Sequence, residues 1–288
     1  RVALKPVALL QPVAFSRTVS QSLPTSCLVE SGFRSMTSRD KTDIVIIDET
    51  EPCPYLPGQT ARMPLRMPLR AIDPEFADRL LAEGNRRTGE FVYSTQCPRC
   101  QACEPIRIDC TEFQFSKNHK RVLSRGNSRY RQQMGPLLAD ETRVELFNKH
   151  RLLRGLATQD KDIDLDEYHW GFVRSCFQSF ELAYIDHLGK LVCLSVCDRG
   201  QKSLSAVYTY FDPELRQDSL GTYAILRQIE FCRLENLRYL YLGYYVRNSQ
   251  HMQYKSRFLP HERLERGRWV RYAAEPKAGK LAEDADSV

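Results

Sequence analysis

Apolar positions in this chain change period several times, and each change marks an element. Ile44, Val45, Ile46 and Ile47 form an unbroken apolar run that predicts a first strand. Asp73-Pro74-Glu75 predicts a helix start, because an aspartate can accept from the first free amides and proline loses no hydrogen bond at the first helical position. Phe76, Leu80 and Leu81 then give that helix one apolar face, and Gly84 ends it. Alternation over residues 105–109 predicts a strand. Past residue 140, Val144, Leu146, Phe147, Leu152 and Leu153 predict a helix over 140–157, and Tyr168, Phe172, Val173 and Cys176 a second over 166–177. Three β-type runs at 180–185, 191–196 and 204–210, joined by His187-Leu188-Gly189 and Arg199-Gly200-Gln201, predict an antiparallel meander. An amphipathic helix over 220–236 and a strand over 239–246 follow.

Meander, helix, strand is the order of a GNAT-type acyltransferase core, whose splayed sheet opens a cleft for an activated acyl carrier. The predicted class is therefore α+β: a small cysteine-containing N-terminal α/β region over 36–135 and a GNAT-like domain over 136–275. A flexible acidic tail is expected over 276–288. Residues 1–35 lack any period and are expected to be disordered, either as an over-extended N-terminus or as an organelle transit segment.

Charge adds little at the level of the whole chain. Of the formal +6, residues 1–35 supply +3 from Arg1, Lys5, Arg17 and Arg34 against Glu30. Local density says more: Lys117, Lys120, Arg121, Arg125, Arg129 and Arg131 lie in a stretch, 116–133, without one acidic residue. That stretch reads either as a solvated helix face or as a phosphate-tracking patch for RNA. No apolar run reaches the roughly 18–20 residues that span a bilayer, so no membrane partner is expected. Ten cysteines without a secretory signal point to a reducing, cytoplasmic setting.

Three of those cysteines, Cys97, Cys100 and Cys103, stand at two-residue intervals. Such spacing lets thiolates converge on one soft metal. Arg107 occupies the position where a bacterial ferredoxin run would need its fourth cysteine. Cys53, stiffened by Pro54 and Pro57, is the remaining fourth ligand for a structural zinc or Fe–S site; the competing reading is reduced thiols packing a turn.

Several motifs in order carry a resemblance. Cys53-Pro54-Tyr55-Leu56-Pro57-Gly58, Arg86-Arg87-Thr88-Gly89 with Tyr93, the triple-cysteine run with Pro105 and Arg107, Phe211-Asp212-Pro213, Ser219-Leu220-Gly221-Thr222-Tyr223, Tyr239-Leu240-Tyr241-Leu242-Gly243 and His251-Met252-x-Tyr254-Lys255 together resemble the arginyl-tRNA–protein transferase family. The likeness is nearest to its bacterial aspartate/glutamate leucyltransferase branch and covers about residues 45–272. Leu56 stands where eukaryotic relatives have the second cysteine of Cys-Gly-Tyr-Cys. The resemblance implies transfer of leucine, or alternatively arginine, from aminoacyl-tRNA to the N-terminal α-amine of proteins that begin with Asp or Glu, marking them for degradation. A CoA-dependent N-acetyltransferase and a non-enzymatic RNA-binding module are the readings from other classes. For the former, the turn at 216–223 has one glycine, and Asp218 at its centre would repel a pyrophosphate; Asp218 or Ser219 is expected to cap the helix.

An aminoacyl ester is already activated, so the chemistry requires no cofactor. Tyr241, Tyr245 and Tyr254 are candidate hydroxyl donors to the tetrahedral oxyanion and Lys255 a candidate cation. An acidic acceptor side chain calls for an arginine, with Arg62, Arg66, Arg87 and Arg107 as candidates. Lys117, Lys120, Arg121 and Arg125 are the candidate tRNA contacts. Oligomeric state is not legible.

Overall fold

The computed structural model describes residues 42–156 and 161–273; the expectations for residues 1–35 and 276–288 lie outside them. The chain runs through strands β1 (Asp43–Ile47), β2 (Thr50–Pro52), β3 (Thr60–Arg62) and β4 (Leu65–Pro68), helix α1 (Pro74–Ala82), and strands β5 (Arg86–Thr88), β6 (Phe91–Tyr93) and β7 (Glu104–Asp109). Helix α2 (Lys117–Arg129) leads into β8 (Tyr130–Gly135), α3 (Glu141–Leu153) and a single turn, α4 (Leu165–Tyr168). Then come β9 (Gln178–Asp186), β10 (Leu191–Arg199), β11 (Ser203–Phe211), α5 (Leu220–Leu234), β12 (Tyr239–Tyr245), α6 (Gln250–Gln253), β13 (His261–Glu265) and β14 (Arg268–Tyr272). The α+β class is as expected.

Local signals act where the sequence places them. Asp73 accepts from Phe76 N–H at 2.8 Å and caps α1 with Pro74 at its start. The expected 166–177 helix is cut to one α-turn and a π-turn over His169–Val173, because residues 178 onward are taken into β9.

One eight-stranded sheet, in the order β14-β13-β7-β12-β11-β10-β9-β8, organises the molecule. The meander β9-β10-β11 is antiparallel, and α5 carries the chain across to β12, which pairs parallel to β11. The expected division at 135/136 does not separate these elements. β7 and β8 come from the N-terminal stretch yet hydrogen-bond to β12 and β9, because each supplies an edge that the meander would otherwise leave open. A second sheet, β1-β4-β6-β5, stands apart from it.

β10 is buried along nearly its whole length. Cys193 and Cys197 turn to a core shared with α5, Ile225, Ile229 and Cys232 among its members, while Leu194 and Val196 turn to the core under α3 with Phe147 and Tyr168. Helix α2 lies against α5 at very short range. A Cβ on Gly126 would come within 2.3 Å of the Tyr223 ring, so this glycine permits the basic helix to sit beside the start of α5.

Candidate functional site

The parallel pairing of β11 and β12 is short. It covers Ser203–Ser205 against Tyr239–Tyr241, and the remaining lengths of the two strands separate around a cavity of about 960 Å³. Leu242, Gly243 and Tyr244 form one wall and residues 206–209 the other; the first turn of α5, the end of α3, Arg86 and the segment Met252 to Lys255 close it. Among the described lining residues there is no aspartate or glutamate, against six cations: Arg86, Arg87, Arg151, Arg154, Arg216 and Lys255. A cavity with such a lining selects anionic ligands.

Ser219 holds the cap position of α5 in a left-handed conformation (φ 54°), yet its side chain makes no capping bond, so the first amides of α5 stay free at the cavity wall. Asp218 is not the cap either. It is buried and turned away, accepting from Arg129 Nη1 at 2.7 Å and from the Tyr130 hydroxyl at 2.5 Å, with Arg125 Nε 3.8 Å away. It therefore anchors α2 to the turn before α5 and does not face the cavity with its charge, which corrects both sequence expectations for it.

Gly243 is the pivot of the site. Its φ of +85° falls where the β12–β7 register shifts, and this bulge breaks the strand's alternation. Leu240, Leu242 and Tyr245 consequently share the α5 core, whereas Tyr244 packs with Tyr93 in a separate cluster. Tyr241 faces away from the cavity, accepting from Arg107 Nη1 at 3.0 Å beside Trp269. Tyr245 lies under Arg263. Neither tyrosine lines the cavity, so the structure does not bring these two candidates to the site; Tyr254, two-fifths exposed, and Lys255 are brought there.

Lys255 is 6% exposed, with Nζ donating to Tyr244 O at 2.6 Å and to Met252 Sδ at 3.2 Å. Burial pushes its pKa down to about 7, the Arg86 charge adds to the fall, and Cys103 opposes it. The expected cation is thus an amine poised between its two forms. Arg86 is 8% exposed and donates from Nη1 to Ser205 Oγ (3.1 Å) and from Nη2 to Ala206 O (3.0 Å). No carboxylate among the described residues pairs with it. The position a Cβ on Gly243 would take is 3.4 Å from Arg86 Nη2 and 3.6 Å from Lys255 Nζ, so both cations border one gap that glycine leaves open. His150, at the far wall, is held neutral: burial pushes its pKa down to about 4, with Nδ1 2.9 Å from Phe211 O.

The four arginine candidates are each occupied by a carboxylate. Arg62 pairs with Asp48 at 2.5 Å and Arg66 with Asp43 at 2.8 Å. Arg107 pairs with Glu262 at 2.6 Å between the rings of Tyr239 and Trp269. Arg87 reaches both oxygens of Asp198, 2.9 and 2.8 Å away, in a pair that is 1% and 2% exposed. Of these four only Arg87 touches the cavity, and its charge is neutralised. The residue that sequence reasoning passed over is its neighbour. Adjacent strand residues point to opposite sides, so Arg86-Arg87 carried a signal that the two arginines have different partners.

Cys53, Cys97 and Cys103 pack around Tyr93 and Tyr244, with Cys100 near enough to act on Cys103, whose thiol burial and neighbouring cysteines push up to about 12. Cys97 Sγ accepts from Arg62 N–H at 3.5 Å. No group of three or more Cys, His, Asp or Glu among the described residues is arranged to hold a metal ion. The four thiols lie near one another in this cluster, and the expected zinc or Fe–S site has no further support in their arrangement. On α2, Lys117, Lys120 and Arg121 are exposed, while Arg125 is half-buried toward Asp218. No described helix is long and apolar enough to cross a membrane.

Two family profiles match the chain: "Arginine-tRNA-protein transferase, N terminus" over residues 51–121 and "Arginine-tRNA-protein transferase, C terminus" over residues 142–265. The aspartate/glutamate leucyltransferase of Acinetobacter baylyi is 36% identical over 220 residues, 76% of this chain and 80% of that protein. That of Chromobacterium violaceum is 36% identical over 218 residues, 76% of this chain and 89% of its own. Among solved structures, L-PGS from Bacillus licheniformis overlaps 51% of this chain and 46% of its own at 8% identity and a TM-score of 0.40, too low to carry an argument.

Proposed function

The chain belongs to the arginine-tRNA-protein transferase family, and we propose that it transfers leucine from leucyl-tRNA to the N-terminal α-amine of proteins that begin with Asp or Glu. The observation that carries this reading is the charge of the cavity. The lining cations, apart from Arg87 whose charge Asp198 neutralises, suit the phosphates of a tRNA 3′ end and an acidic acceptor residue, and Arg154, Arg216 and the free amides of α5 suit the phosphates in particular. An arginyl donor would bring a guanidinium that needs a buried carboxylate, and no described lining residue offers one. Apolar surface from Val207, Leu220 and Ile225 suits a leucyl side chain.

The acceptor amine has a pKa near 7.7–8.0, so a useful neutral fraction exists at physiological pH. Its lone pair attacks the ester carbonyl carbon, and the nitrogen, now positive, gives a proton to the neutral Lys255 amine. The tetrahedral oxyanion accepts from the Tyr254 hydroxyl. Collapse breaks the bond to the ribose oxygen, which leaves with the electron pair and takes the proton back from Lys255. The products are a peptide bond and free tRNA. Most of the acceleration comes from holding amine and ester together, and no step runs through a metal. Use of aminoacyl-tRNA suits the cytoplasmic setting expected from the sequence. Lys117, Lys120 and Arg121 extend the path of the tRNA along α2.

Incubation with leucyl-tRNA or arginyl-tRNA and peptides varied only at residue one tests the reading. Leucine is expected on peptides starting in Asp or Glu and not on those starting in Ala or Lys. Use of arginyl-tRNA alone would overturn the donor assignment, and no transfer from either would overturn the whole.

A further inference from the structure

Arg86 is buried without a carboxylate partner among the described residues. A buried arginine used for structure normally has a carboxylate beside it, as Arg87 has Asp198, Arg107 has Glu262 and Arg143 has Glu181 in this molecule. Arg86 instead has one hydroxyl and one backbone carbonyl, which orient the guanidinium without neutralising it. Its Nη2 borders the gap at Gly243, which Lys255 Nζ also borders. The Arg86 charge disfavours protonation of Lys255 across this space, and an anion placed there would offset it.

Resting on the transferase reading above, we infer that Arg86 receives the side-chain carboxylate of the acceptor's first residue, and that it discriminates Asp and Glu from Asn and Gln. A planar carboxylate suits the guanidinium fork. The position also couples recognition to chemistry. The groups acting on Lys255 are Arg86 and Cys103, with the Tyr254 ring 5.9 Å away and Tyr244 O and Met252 Sδ as its hydrogen-bond partners. A carboxylate docked on Arg86 offsets the one cation that opposes protonation of Lys255, so an acidic acceptor makes the amine a better proton acceptor at the moment one is required. A neutral acceptor leaves the opposing charge in place and is penalised both in binding and in turnover.

Steady-state transfer at saturating leucyl-tRNA, with peptides beginning Asp, Asn, Glu and Gln, tests the assignment in the unaltered protein and in Arg86→Gln. Loss of a charge-assisted contact predicts a fall on the order of 100-fold in kcat/KM for the Glu peptide, a change of a few-fold for the Gln peptide, and unchanged affinity for leucyl-tRNA. Arg86→Lys keeps the charge and should recover part of the Glu:Gln ratio. An equal fall for Glu and Gln peptides would reduce Arg86 to a structural role, and a fall in leucyl-tRNA affinity would assign it to a phosphate; either overturns the inference. Should the variants not fold, competition on the unaltered protein decides: a Glu-initiated peptide inhibits transfer to an Asp-initiated one, whereas its γ-methyl ester does not, and equal inhibition by both removes the carboxylate receptor. Failure of the unaltered protein to leucylate the Glu peptide would instead remove the reading on which this inference rests.

Discussion

Replacing Lys255 by methionine should stabilise the fold most at low pH and progressively less as the pH rises. The lysine is buried, and its pKa falls from the ordinary 10.5 to about 7. Between those values the unfolded chain binds a proton that the folded chain does not, so the stability of the unaltered protein climbs as the pH rises through that window. Below about 7 both states carry the charge and the burial penalty is felt in full. A thioether side chain has no proton to gain or lose, which makes the difference between the two proteins pH-dependent with a defined sign. Integrating the linkage from pH 6.5 to pH 9, the advantage of Lys255→Met over the unaltered chain should shrink by about 2.5 kcal/mol. Loss of the Nζ donor to Tyr244 O shifts the whole comparison by a constant and leaves this change intact. Cys103, held up to about 12 in the fold, stays a thiol there across the range, and the slope from its titration in the unfolded chain is common to both proteins and cancels in the comparison. Urea unfolding of both proteins at four pH values between 6.5 and 9 measures the quantity directly. A gap that stays flat across the range would mean the amine is solvated, and the proton-transfer role given to Lys255 would fall with it.

Three other outcomes follow from the pairing of charges. Alanine at Lys117, Lys120 and Arg121 together should lower the slope of log binding constant against log salt for tRNA by about 2 to 3, since each lost phosphate contact removes roughly 0.7–0.9; an unchanged slope in filter-binding titrations would move the tRNA path off α2. Asp198→Asn strands Arg87 in a 1% exposed position and should cost about 3–5 kcal/mol in urea unfolding, while the Asp-over-Asn acceptor preference of the folded protein persists; loss of that preference with unchanged stability would return the recognition role to Arg87. Asp218→Asn releases Arg129 and Tyr130 and should weaken tRNA binding several-fold without raising KM for the acceptor peptide, an effect that would be refuted by a KM change of equal size.

Elements whose signal is local were legible from the sequence. The cap at Asp73 and the two turns of the meander specify their structures through residues a few positions apart, and α1, β9, β10 and β11 appear within two or three residues of the expected bounds. Elements that depend on distant partners were less so. Residues 104–109 and 130–135 read as pieces of a separate N-terminal block, yet they complete the large sheet, since a strand's edge is satisfied by whatever strand arrives and not by its neighbours in sequence. The cysteine spacing is similarly compatible with a metal or with packing, and it did not foretell that the thiols gather around Tyr93 and Tyr244.

Two of the four catalytic candidates, Tyr241 and Tyr245, lie away from the cavity for one identifiable reason. Reading 239–246 as a regular strand places Tyr241 and Tyr245 on one face, and that inference holds only while the period of two is unbroken. Gly243, adopting φ +85° at a register shift, inserts an odd step, so Tyr241 and Tyr245 part company and Tyr244 joins the cluster of Tyr93. The same glycine leaves the space between Arg86 and Lys255. A bulge that scatters the expected tyrosines therefore also leaves the gap bordered by the Arg86 guanidinium and the Lys255 amine. The arginine candidates chosen for lying near the cysteines are occupied for a different reason: an arginine free to bind a substrate carboxylate must lack an internal one, and sequence proximity carries no information about that. Arg62, Arg66, Arg87 and Arg107 all have internal partners. For a charged recognition residue, the absence of a partner is the feature that matters, and it becomes visible only when every carboxylate around the site has been placed.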